Sequence, residues 1–335
     1  MVNIKDVSKL AGVSIATISR YLNNPEKLKP ETNKKVENAI KILNFIPSAI
    51  AQGMRTQQSR YIAIVLEDMT NPFYTEVLYG AEQCARQNNY NIVVFNTIKD
   101  KQKKYLDILF ERNFFGVVYC ASIDEDNEKI LIALKKRNIP LILIDNESLK
   151  NNYSCINTDN YKASYMGTKY LIDKGHKRIG LVCFNKFLDQ IEVRKKGYID
   201  ALQDNFIEYD SSFIYKTDLS IKGGIKIASE ILKEINRFTA LFCLSDYIAI
   251  GMLKYFNNNK KNVPNDISIL GFDDIEYSEI VEPGLTTIHQ KRKKLGFLSV
   301  EKIISFLNKR PKNNLLIELS TYIVERESVK DISEL

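Results

Sequence analysis

The apolar positions of the chain change their period twice. From residue 4 to residue 43 they recur at helical spacing. Ile4, Val7 and Ala11, with Leu10 beside them, fall on one face, and Gly12 closes that helix. Ser14 is placed to cap a second helix, which runs through Ile18 and Leu22 to the breaker Asn23-Asn24-Pro25. Pro30 opens a third helix, with Val36, Ala39, Ile40 and Leu43 facing inward. Two short helices joined by a glycine-containing turn, with a third packed on them, predict an all-α helix-turn-helix head. From residue 60 the pattern becomes one of short, continuous apolar runs. They fall at 62–66, 92–95, 117–119 and 141–144, with helical spacing such as Val77, Ala81 and Ala85 between them. A second series at 179–182, 240–244 and 267–270 alternates with helices near 160–173, 190–203, 222–235 and 247–257. Strands buried on both faces and separated by helices predict parallel, doubly wound α/β sheets. Two such series predict two subdomains with a cleft between them.

Residues 47–55 lie between these two regimes and read as a short helix, with Pro47 first and Ser48 as its capping candidate. A helix this short is marginal in isolation. Gly53 weakens it by a further ~0.5–1 kcal/mol relative to alanine. The expected organisation is therefore a head at 1–46, a hinge helix and linker at 47–59, and a body at 60–335.

Charge separates head from body. The 335 residues carry a net +7. Residues 1–60 hold ten Lys/Arg against four Asp/Glu, whereas the remainder holds 38 against 37. A basic module joined to a nearly neutral body points to a polyanion-binding head. With 44% apolar and 27% charged residues, bulk disorder is excluded. No apolar run reaches the ~18–20 residues of a membrane span, and the N-terminus lacks a signal peptide's apolar stretch, so a cytoplasmic protein is expected. The five cysteines are scattered without a CxxC, and only His176 and His289 are present. This pattern argues against a disulfide framework and a transition-metal centre, and no cofactor is expected.

In a helix-turn-helix the second helix enters the major groove, and its N-terminal residues meet base edges. Thr17 and Arg20 can hydrogen-bond bases or phosphates, while Ile15 and Ala16 offer apolar contact to thymine methyls. At this point the chain resembles the lactose/galactose repressor (LacI/GalR) family. The likeness begins in I-K-D-V-S-K-L-A-G-V-S-I-A-T-I-S-R-Y-L-N at 4–23 and continues through Lys29-Pro30-Glu31-Thr32 and 45–55. Further along it includes Asn71-Pro72-Phe73-Tyr74, L-I-D-K-G-H-K-R-I at 171–179, Gly271-Phe272-Asp273-Asp274 and Leu285-Thr286-Thr287-Ile288. These matches run in order along essentially the whole chain.

The resemblance implies a regulator, usually a repressor, that binds an inverted-repeat operator in double-stranded DNA as a homodimer. A small-molecule effector, sugar-like or a related metabolite, would control it. It implies DNA contacts at Ser14, Ile15, Ala16, Thr17, Ser19, Arg20 and Asn23, and at Ala51, Met54 and Arg55 of a hinge helix that folds in the minor groove. Met54 stands where the family wedges a leucine between bases. The body is implied to have the fold of periplasmic sugar-binding proteins, with one subdomain made of 60–158 and 289–318 and the other of 159–288 and 319–330.

In open α/β sheets, ligands sit beyond the C-terminal ends of the strands. Asp68, Asn71, Asp145, Ser245, Asp246, Asp273 and Asp274 fall at such ends. Of these, Asp246 reads as a helix cap. By resemblance, the effector contacts fall on Phe73, Tyr74, Asp145, Arg194, Leu219, Ser245, Asp273 and Gln290. Such a set offers planar charged groups to hydroxyls and an aromatic face to C–H edges. Leu219 stands where many relatives have an aromatic wall, and Ser245 stands where Asn is usual.

Two other functions compete. The body alone would suit a solute-binding protein, but the basic head and the missing leader argue against one. An enzyme would need chemistry that the chain does not spell: it has no GxGxxG, no GxxxxGK[ST] and no GxSxG.

Overall fold

The computed structural model describes residues 2–45, 60–97, 108–109, 114–123, 125–185, 189–308, 311 and 313–334. The chain divides into two compact units, Met1–Ser59 and Arg60–Leu335. The expected hinge helix lies outside the described residues.

Within the first unit, α1 (Ile4–Ala11), α2 (Ile15–Asn23) and α3 (Pro30–Leu43) close on a small core of Val7, Ala11, Ile18, Val36 and Ala39. Local chemistry sets the boundaries. Asn3 and Asp6 form a reciprocal capping box at the start of α1. Gly12 ends that helix at φ 67°, a left-handed conformation that favours glycine. Ser14 then caps α2 by accepting the Thr17 N–H at 3.1 Å.

The second unit holds two six-stranded sheets. The first is built from β1 (Tyr61–Leu66), β2 (Asn91–Asn96), β3 (Gly116–Cys120), β4 (Leu141–Ile144), β5 (Cys155–Thr158) and β11 (Leu316–Leu319). Its order is β11-β5-β4-β3-β1-β2, and every pairing is parallel. The second comprises β6 (Ile179–Phe184), β7 (Ile214–Thr217), β8 (Ala240–Cys243), β9 (Ser268–Asp273), β10 (Thr287–His289) and β12 (Tyr322–Val324). Its order is β12-β10-β9-β8-β6-β7, and only β12 runs antiparallel to its neighbour. Strands such as β4 (LILI) and β8 (ALFC) are buried along their whole length, as sheets covered on both faces require.

The helices of this unit are α4 (Pro72–Gln87), α5 (Glu125–Lys136), α6 (Asn160–Asp173), α7 (Asp189–Asp204), α8 (Ile221–Ile231), α9 (Asp246–Asn258), the single turn α10 (Tyr277–Ile280) and α11 (Arg292–Asn308). The chain passes between the sheets three times, after β5, after β10 and after β11. The second passage delivers α11 onto α4 at backbone contact. A Cβ on Gly80 would lie 1.9 Å from the Lys293 carbonyl oxygen, and one on Gly296 would lie 1.8 Å from that of Val77.

Several elements depart from the sequence reading. The segments β5, β7, β10, β11 and β12 were not expected as strands. They are short and carry polar residues, as in CINT, IYKT and TIH, so no apolar run announces them. Nor were α5 and α11 foreseen. The run expected to be helical over 222–235 leaves the α conformation after Ile231 and kinks at Glu234. The strand expected at 267–270 continues to Asp273 and so carries that carboxylate to the cleft.

Candidate functional site

The candidate nucleic-acid surface is the N-terminal half of α2. Ser14, Ala16 and Arg20 are exposed, while Ile15, Thr17 and Ser19 are half-buried. Ile18 is fully buried and fixes the helix to the head's core. The Ser14 and Thr17 hydroxyls lie 2.9 Å apart, so the cap orders the first recognition turn. A capped helix N-terminus presenting free N–H groups is suited to phosphate, and Arg20 one turn on can reach a base edge. Asn23 is the last residue of α2. Ala51, Met54 and Arg55 lie outside the described residues.

The second candidate site is the cleft between the two sheets. Asn71 starts α4 by accepting the Phe73 N–H at 3.0 Å, with Pro72 in the first turn. That start brings Phe73 and Tyr74 to a cavity of about 650 Å³, whose wall also includes Glu67, Ser122, Asp145, Asn146, Ser148 and Asp189. The two rings meet edge to face at 5.3 Å. Burial pushes the Tyr74 phenol well above its usual value, and the Cys120, Asp145 and Asp273 side chains nearby add to the effect. Tyr74 therefore lies within electrostatic reach of carboxylates from both lobes.

Asp145 sits at φ 52°, just past β4, and is only 7% exposed. Its Oδ1 accepts the Thr158 N–H at 2.6 Å. Burial raises its pKa to about 6, against the opposing pull of Thr158 and Arg194. From the other lobe, Arg194 lies in the second turn of α7 and is 4% exposed. Its Nε donates to Asn160 Oδ1 at 2.7 Å and its Nη1 to the Leu244 carbonyl at 3.1 Å, and the guanidinium lies 3.7 Å above the Phe272 ring. This mounting presents one face of a planar cation.

Asp273 ends β9 at φ 122°, an unusual conformation for a residue with a side chain. Its Oδ1 accepts from Gln290 Nε2 at 2.6 Å and its Oδ2 from the Ser245 hydroxyl at 3.3 Å. Burial raises its pKa, although Arg194 and Arg292 pull the other way. Gln290 is fully buried and has both ends of its amide committed, because its Oε1 accepts from the Thr158 hydroxyl at 2.7 Å. It thereby ties the first passage between lobes to the second and holds Asp273 in place. Ser245 is the N-cap of α9. Leu219, 37% exposed, precedes the Ser220 cap of α8; of the expected effector contacts Phe73, Tyr74 and Asp145 line the cavity, whereas Leu219, Arg194, Ser245, Asp273 and Gln290 are not among its lining residues.

Asp246, read from sequence as a helix cap, is a buried tie instead. Its carboxylate accepts from the Ile275 N–H at 3.0 Å and from the hydroxyls of Ser278 at 2.7 Å and Thr287 at 2.6 Å. Beside it, burial pushes the Asp274 carboxyl up, but hydrogen bonds from His289 and Arg326 outweigh burial and hold it below the usual range. Sequence reasoning missed Asn160 and Thr158, which position Arg194, Asp145 and Gln290. Their only signal was a place at the end of an unrecognised strand, Thr158 as its last residue and Asn160 two residues on. Another recess of about 730 Å³ opens between the start of α6 and the β11–β12 passage. Its Tyr161 and Tyr165 hydroxyls already donate to Asp200 and Asp204. No helix among the described residues is long and apolar enough to cross a membrane.

Comparison with known proteins places both units. Residues 3–48 match the family described as bacterial regulatory proteins, lacI family, and residues 168–329 match a periplasmic binding protein-like domain. The HTH-type transcriptional regulator RegA of Clostridium saccharobutylicum is 34% identical over 331 residues, covering 97% of this chain and 98% of the relative. The HTH-type transcriptional repressor PurR of Photobacterium profundum is 30% identical over 336 residues, covering 99% and 100%. Among solved structures, the lac repressor dimer bound to operator and the anti-inducer ONPF superposes with a TM-score of 0.87 at 25% identity, covering 98% of this chain and 99% of that one. A regulator from Enterococcus faecium with bound ribose gives a TM-score of 0.74 at 27% identity, covering 81% and 99%.

Proposed function

The chain belongs to the lacI family of bacterial regulatory proteins, and on that premise we propose that Asp145, Arg194 and Asp273 seat a small polyhydroxylated effector whose occupancy sets how tightly the head holds its operator. The protein is a helix-turn-helix transcriptional regulator with an effector-binding body. The observation that carries the residue assignment is convergence. Asp145 lines the cavity beside Phe73 and Tyr74, and the buried Asp273 and the stacked Arg194 guanidinium of the other lobe lie behind it, Asp273 within electrostatic reach of Tyr74 and Arg194 within reach of both carboxylates. The ribose held by the regulator from Enterococcus faecium supports a hydroxyl-rich ligand for a cleft of this kind. Gln290 acts in this reading through Asp273, as a positioning residue.

On the DNA side, Thr17 and Arg20 read base edges, Ile15 and Ala16 exclude wrong bases, and Ser14 orders the turn. A two-fold pair of such heads reads an inverted repeat. Effector binding need shift the operator affinity by only ~1–3 kcal/mol to give a ~5–150-fold switch. The cleft is read here as a binding site, with no turnover of the ligand. The test is a thermal-shift panel of sugars, sugar phosphates, nucleobases and nucleosides on the full chain, with Arg194→Ala as control. A ligand at ~100 times its Kd adds about 2.7 kcal/mol. A shift lost in Arg194→Ala, from a ligand that also changes operator affinity, supports the reading. Shifts indifferent to Arg194 count against it.

A further inference from the structure

We propose that the start of α11 is an oxyanion subsite, which takes a carboxylate or phosphate group beside the cleft. It is a second site of the body, and it stands whichever ligand fills the cavity. The observation that carries it is Arg292. This side chain is 6% exposed, and its Nη2 donates to the Asp274 carbonyl at 2.6 Å. Its Nε and Nη1 are buried and have no hydrogen-bond partner among the described residues. A buried cation with empty donors is costly, and such a group in a folded protein calls for a partner.

The surroundings of Arg292 select the sign of that partner. α11 runs for 17 residues and opens with Arg292, Lys293 and Lys294, with no acidic residue in its first turn. The helix dipole makes this end positive, so three successive cations there oppose it. Among the described residues, the backbone N–H groups of Lys293 and Lys294 find no acceptor. Side chains on a helix lean toward its N-terminus, so the Arg292 guanidinium lies at the same end as those N–H groups. Its bond to Asp274 places it just past the end of β9.

The acidic groups nearby do not fill this role. Asp273 faces Arg292, but its oxygens accept from Gln290 and Ser245, and burial favours its protonated form. The Asp274 carboxylate is held by His289 and Arg326, and Glu76 lies 3.5 Å from Lys293 Nζ. A neutral hydroxyl would satisfy a donor but leave the charge of the first turn unanswered. An oxyanion supplies acceptors and negative charge together, and charge-assisted hydrogen bonds are about twice as strong as neutral ones. Carboxylate and phosphate both match a guanidinium in this way. An acidic effector and a free anion share that chemistry.

The test follows melting temperature and titration calorimetry of the full chain at neutral pH and constant ionic strength. One arm uses inorganic phosphate and sulfate. The other uses gluconate, glucuronate and glucose 6-phosphate against glucose. The expected result is saturable binding in at least one arm, weakened about tenfold or more by Arg292→Met. That substitution keeps an apolar stem in the buried position and removes the donors. Arg292→Lys keeps the charge, removes Nε and Nη1, and should weaken the same binding if the methionine variant fails to fold. An acidic sugar that outbinds both glucose and the inorganic anions identifies the anion as part of a larger ligand. Inorganic anions that bind as well as any acidic sugar identify it as a free ion. Stabilisation that does not saturate, binding that both variants leave intact, or no anion response overturns the proposal. A glucose response lost in Arg194→Ala, with no anion response, would keep the cleft as the effector site and remove the subsite. An Arg292-dependent anion response with no Arg194-dependent ligand would keep the subsite and remove that reading of the cleft.

Discussion

On the second-lobe side of the cleft the carboxylates are answered. Asp246 holds three hydrogen bonds, Asp274 is gripped by His289 and Arg326, and Asp273 is held by Gln290 and Ser245. On the first-lobe side Asp145 is buried with Thr158 alone, and Asn146 keeps an oxygen free. The two sheets share one strand order, so this difference does not come from topology. On the proposed reading of the cleft, it reflects a first-lobe carboxylate left with capacity for a ligand. A satisfied buried network rigidifies its surroundings. A buried acceptor without partners is costly until a ligand arrives, and that cost is what makes binding selective.

The sharpest way to break this comparison is to remove a tie on the satisfied side. Asp246→Ala leaves one N–H and two hydroxyls unpaired in a dry interior. It should destabilise the body by about 3 kcal/mol or more in denaturant melts. Next in size, Arg20→Ala should weaken specific operator binding by about 1–3 kcal/mol in a mobility-shift titration. Because the head and body form separate compact units, the same protein should keep its full effector-induced thermal shift. Equal loss of both would mean that the two units do not act as separate modules.

Smaller still, and opposite in sign, is the expected effect on the open side. Asp145 has its folded pKa raised above the unfolded value, so its ionisation opposes folding as pH rises from 4 through about 6. At neutral pH, Asp145→Asn should therefore raise the melting point of the ligand-free protein, by about 1–2 kcal/mol of stability, while weakening effector binding. A loss of stability would show that Asp145 belongs to the satisfied class. The smallest effect concerns His176, buried with its Nε2 on the Lys330 carbonyl at 3.0 Å. Burial lowers its pKa from 6.5, so the unfolded chain takes up the proton first. Stability should fall as pH drops below about 6.5, and His176→Gln should flatten that slope in melts followed across pH.

The sequence was most legible where burial is complete. The runs at 62–66, 141–144 and 240–244 are apolar throughout because helices cover both faces of the sheets there. The head was legible through its punctuation, since Gly12, Ser14 and Pro30 each have a local steric or hydrogen-bonding role. Of the four edge strands, β2 alone was legible, and β7, β11 and β12 were opaque. Ile214–Thr217 is a four-residue strand with one neighbour whose last two residues are a lysine and a threonine, and Leu316–Leu319 is recognised only by its register beside β5. The cleft was half legible. Asp145 and Asp273 could be placed at strand ends, but the roles of Gln290 and Asp246 depend on partners up to 132 residues away, which no local pattern records.

The three passages between lobes also bear on how this chain is made. During synthesis the N-terminal lobe emerges first, yet it cannot be finished first. Its sheet edge β11 and the helix α11 that locks onto α4 are encoded after the whole of the other lobe's parallel strands. The second lobe waits as well, for β12 and for the C-terminal strap that pairs Ile332 with Lys174 and Lys330 with Ser268. On the ribosome, β5 and β10 are therefore open edges in the nascent chain until its last segment arrives. A message truncated before Arg292 would yield two incomplete sheets, not one finished lobe and one missing.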